Sequence, residues 1–107
     1  MDFKAITSDF ARSVPGTDAF LKVKQQLLAL MTSNSANAAA YFLIYGFARS
    51  YVILHDDEGV TTDAANAAQQ QLLSYMEALV PALGDSEALL NAMNWVVLDY
   101  DGRRQLF

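Results

Sequence analysis

Cysteine is missing from the 107 residues, which removes disulfides, thiolate zinc sites and cysteine nucleophiles together. Basic charge is scarce: seven Lys and Arg stand against twelve Asp and Glu, for a net charge of −5, and the only adjacent basic pair is Arg103 with Arg104. Nucleic acid is therefore excluded as an expected partner, because its phosphates are met by clustered Lys and Arg. Charge of either sign is thin, at 18% of residues against about 25% in soluble domains, while 53% are hydrophobic. So few charges cannot coat a monomer evenly, and a homodimer or a partner-binding face is expected. The five glycines are isolated at Gly16, Gly46, Gly59, Gly84 and Gly102, so there is no phosphate-cradling loop. An apolar signal core is missing from MDFKAITSDFARS, which makes the cytoplasm the expected compartment.

What the chain does have is one long apolar stretch, Ala36 to Leu54, with Arg49 as its only charge. Tyr41, Tyr45, Ala48 and Val52 fall on one face of a helix there, and Leu43, Phe47 and Leu54 on another. A helix apolar all round is buried on all sides or lies in lipid. Its length approaches the roughly 20 residues that a bilayer needs. Lipid is disfavoured by Arg49 inside the run and by the acidic Asp56, Asp57 and Glu58 after it, with no Lys or Arg cluster to set an orientation. The expectation is a core or interface helix, not a membrane span, capped by Ser35 and ending near Leu54 or His55.

Other helices are expected around it. Phe3, Ile6, Phe10 and Val14 recur at helical spacing until Pro15 and Gly16 interrupt them. Thr17 is expected to cap a second helix with Phe20, Val23, Leu27 and Leu30 or Met31 as its stripe. Thr61, Thr62 or Asp63 opens a helix carrying Ala65, Ala68, Leu72, Tyr75 or Met76, Leu79 and Leu83 on one face, which Pro81 ends or kinks. Its alanine-rich start is suited to close packing, with the alanine-rich start of the central helix as the expected neighbour. Asp85 or Ser86 caps a fifth helix with Leu89, Met93, Val96 and Tyr100 on one face and Leu90 and Val97 beside them. Trp95 to Val97 also have strand propensity, and Asp101-Gly102 is a hairpin signal, but an isolated hairpin is marginal in water. The helix is preferred, with the tail after about residue 102 irregular. The fold expected is one all-α domain over residues 1–107, an antiparallel bundle of four to five helices around the helix at 36–54.

Few residues invite a chemical role. Arg49 and Glu77 are lone opposite charges on apolar helices, and a charge removed from water requires a partner, so they are expected either to pair between helices or across an interface, or each to reach solvent at a helix edge. His55, the only histidine, stands beside Asp56, Asp57 and Glu58, but consecutive residues point in different directions, and neither an HExxH pattern nor an EF-hand loop is present. No catalytic set, metal site or cofactor motif emerges. Tyr41, Tyr45, Tyr51 and Trp95 are the candidates for an aromatic pocket or interface, against a reading in which they are simply core. Two functions follow as expectations. The first is a non-enzymatic protein-interaction module, such as an acidic adaptor, inhibitor or immunity-type protein. The alternative is a binder of a hydrophobic small molecule in that aromatic pocket.

Overall fold

Asp2 starts the first helix: its carboxylate accepts from the Ala5 amide at 2.8 Å, and α1 runs Phe3–Arg12. The structure is a computed structural model that describes residues 1–56, 59–103 and 106–107. Phe3, Ile6 and Phe10 of α1 are buried as their spacing predicts, but Val14 lies beyond the helix and is 86% exposed. Gly16 adopts φ +149°, a conformation that side-chain-bearing residues rarely adopt, and turns the chain into α2, Thr17–Ser33. Thr17 is thus the first helical residue and not the expected cap. Phe20, Val23, Leu27 and Leu30 form the buried stripe of α2.

A 3-10 turn, Ser35–Asn37, leads into α3, Ala38–His55, and the chain bends by 116° between Thr17–Ser33 and Ser35–His55. Ser35 belongs to that turn and does not cap α3; Asn37 holds the cap position without a side-chain bond. Thr61 caps α4, Thr62–Leu79, its hydroxyl accepting from the Ala64 amide at 3.1 Å. Pro81 follows in a second 3-10 turn, Val80–Ala82, where the missing donor costs no helix bond. Asp85 then caps α5, Ser86–Gly102, so the WVVLDY segment is helical. Among the described residues there is no strand, and the fold is all-α.

The most extensive contact is between α2 and α3, while α1 lies against α2 and α4, and α4 also touches α3 and α5. α4 does not rest on α3 alone: near its middle it meets the end of α1. The amide nitrogen of buried Gln69 donates to the carbonyls of Phe10 at 3.1 Å and Ser13 at 3.0 Å, supplying donors that the end of a helix lacks. Nor is α3 covered on all sides. Ala40, Tyr41, Ile44, Ala48 and Tyr51 are buried, but Phe42, Ile53 and Leu54 are exposed. A chain this short buries only part of its surface and cannot wrap one helix completely. No single described helix is long and apolar enough to cross a membrane.

Candidate functional site

The four aromatic side chains expected to converge are spread through the molecule. Tyr41 is buried and stacks on Phe3 with ring centroids 5.4 Å apart, its hydroxyl accepting from the Asn34 amide at 3.0 Å. Tyr51 is buried against Phe20 at 3.8 Å, and its hydroxyl finds no partner among the described residues; burial pushes that phenol above its ordinary range. Tyr45 is half-buried and stacks on the exposed Phe42 at 5.9 Å. Trp95 meets Tyr75 edge to face at 6.0 Å and is 47% exposed. No ring contact among the described residues joins two of these four. Each packs instead against a different aromatic ring.

Arg49 and Glu77 are both exposed, and the ion pairs among the described residues are Asp9 with Arg12 and Lys22, and Asp99 with Arg103. The expected bridge within the chain is therefore not formed. Helical position explains this: Arg49 extends the outward row Phe42, Tyr45 and Ile53 of α3, and Glu77 lines a groove of about 270 Å³ with Lys4, Thr7, Ser8, Ala11, Val80 and Pro81. His55 packs on Tyr51 at 4.6 Å and Asp56 is exposed, whereas Asp57 and Glu58 lie outside the described residues. The Asp9 carboxyl is held below its usual range, first by the hydrogen bond from Lys22, 2.8 Å away.

Two buried clusters escape sequence reading. Gln71 donates to the Tyr75 hydroxyl at 2.8 Å, which donates to Asp99 at 2.7 Å, and the same carboxylate oxygen meets Arg103 at 2.9 Å. Burial, followed by the Asp99 carboxylate as a lesser cause, pushes Tyr75 up to about 12. The second cluster surrounds Phe107. Its ring is buried among Phe47 at 5.2 Å, Tyr100 at 5.8 Å, Phe20 at 6.3 Å and Tyr75 at 6.4 Å, one from each of four helices. The Tyr100 hydroxyl donates to its carbonyl at 2.7 Å. Both clusters join residues far apart in the chain, and each holds α5 in place.

The outer surface differs in kind. In α5 only Val96 is fully buried, while Leu90, Trp95, Val97 and Leu98 are exposed, Leu98 to 72%. On α3, Phe42 and Ile53 are each 62% exposed. The two helices adjoin, since Phe47 and Tyr100 have ring centroids 4.7 Å apart. Large apolar side chains left open on helices mark association sites. The molecule is an all-α domain that leaves apolar side chains of α3 and α5 uncovered. Compared with known protein families, curated proteins and solved structures, the chain matches none at a significant level.

Proposed function

We propose that the chain is a non-enzymatic protein-interaction module whose working surface is the outward side of α5 together with that of α3. The observation that carries this reading is α5 itself: a 17-residue helix that buries only Val96 fully and leaves Leu90, Trp95, Val97 and Leu98 open to water. Scattered single apolar residues need no explanation, but four on one helix do. The few charges of the chain stand around these apolar side chains, so a partner that offers an opposite charge at the rim of the contact fits best. Native mass spectrometry of the protein lysed gently from its own cells tests the reading, with Leu98→Glu as the companion variant. The expected result is a protein complex that Leu98→Glu loses while its circular dichroism is unchanged. A bare monomer carrying a small adduct would overturn the proposal in favour of a ligand-binding role.

A further inference from the structure

Gly46 is out of place in the middle of α3, where glycine costs about 1 kcal/mol relative to alanine. Within the chain nothing requires it: a Cβ built there meets no atom within 4 Å. Its neighbours on the outward row are Phe42 and Tyr45, whose rings stack at 5.9 Å, and then Arg49 and Ile53. Gly46 is thus the low point of an exposed row with bulk on either side. Small residues at a helix contact let a crossing helix approach more closely.

α5 offers the complement. Leu90, Asn94, Val97, Leu98 and Asp101 recur at spacings of four, seven, eight and eleven, which places them along one side, and all five are exposed. No Lys or Arg occurs in Ser86–Gly102, whereas Arg49 is the only Lys or Arg in Ala38–His55. One row is apolar with a cation and a notch; the other is apolar and ends in a carboxylate. We infer that the partner is a second copy of this chain, with α5 of each copy crossing α3 of the other at Gly46 and Arg49 of each facing Asp101 of the other. The inference rests on the interaction reading above and names its partner. A twofold axis suits this arrangement, because α3 meets α5 and α5 meets α3 and the contact closes on itself. The Phe47–Tyr100 contact keeps the two rows on adjoining helices of one protomer. Paired charges at the rim set register more than they add affinity.

The test is the mass of the purified full chain by light scattering and analytical ultracentrifugation over a dilution series. A dimer that dissociates on dilution is expected. Gly46→Leu should yield a monomer at every concentration, with circular dichroism checked to be unchanged, because the added Cβ meets no atom within 4 Å and the row it joins faces outward. Arg49→Asp and Asp101→Arg should each raise the dissociation constant roughly threefold or more, and the double exchange should restore it. A dimer indifferent to Gly46→Leu and to both charge reversals overturns the inference. So does a wild type that is monomeric throughout. If that monomer still captures a different protein through Leu98 in its own cells, the interaction reading stands and only the second copy is wrong; if it captures nothing, both fall.

Discussion

Gln69 shows how much a single side chain can hold when its contacts lie far along the chain. Its amide nitrogen serves two carbonyls at the end of α1, from a helix that begins fifty residues later in the fold. Gln69→Leu keeps the volume but leaves the Phe10 and Ser13 carbonyls without that donor, which should cost about 1 to 3 kcal/mol. Urea unfolding should show this as a lower midpoint at unchanged slope. Tyr75 is a second such residue. Its folded-state value of about 12 lies above the ordinary 10.0, so the folded chain holds the phenolic proton more tightly than the unfolded chain does. The stability this contributes is intact below pH 10 and is lost as pH rises through about 12. Absorbance titration of the unsubstituted protein and of Tyr75→Phe should differ by one phenol ionising at about 12, and Tyr75→Phe should lessen the loss of stability between those limits. The sequence placed Tyr75 on the inner face of α4, but nothing in it announced Asp99, Gln71 and Arg103 as partners, because only the packing of α5 on α4 brings them together.

Among the elements, α2 and α3 hold the main body, and α5 depends on others for its place. Its capping by Asp85 and its inward row of Leu89, Met93, Val96 and Tyr100 were readable from spacing, although Val96 alone is fully buried. The remaining anchor comes from Phe107, whose ring touches one aromatic from each of α2, α3, α4 and α5. The last side chain of a tail expected to be irregular is core. Periodicity could not reveal this, since a single residue has no period. Phe107→Ala should cost about 3 to 5 kcal/mol by leaving a cavity among four rings. Hydrogen exchange should then accelerate first in α5, and even in the unsubstituted protein α5 should exchange faster than α2 and α3, because fewer buried contacts resist its local opening.

For the whole molecule the governing quantity is the ratio of apolar side chains to surface that can hide them. With 53% hydrophobic residues in 107, the chain buries a continuous core and still leaves ten large hydrophobic side chains exposed. If these are covered by a second copy, the melting temperature should rise with protein concentration in differential scanning fluorimetry, because dissociation accompanies unfolding; Gly46→Leu should abolish that dependence. By itself the sequence determined the all-α class, the positions of all five helices to within a few residues, the stripes of α1, α2 and α4 apart from Val14 and Leu83, and the short segments, 61–63 and 85–86, in which two of the caps fall. These are local matters, set by helical periodicity and by side chains that reach amides three residues away. Only the tertiary structure decided that the apolar helix at 38–55 is covered on one side, that Arg49 and Glu77 stay apart, that Tyr41 and Tyr51 enter the core while Tyr45 faces outward, and that Phe107 closes the core. Hydrophobicity sets how much surface seeks cover, but which side receives it depends on the direction in which each neighbouring helix returns, and that is settled by packing across the whole chain.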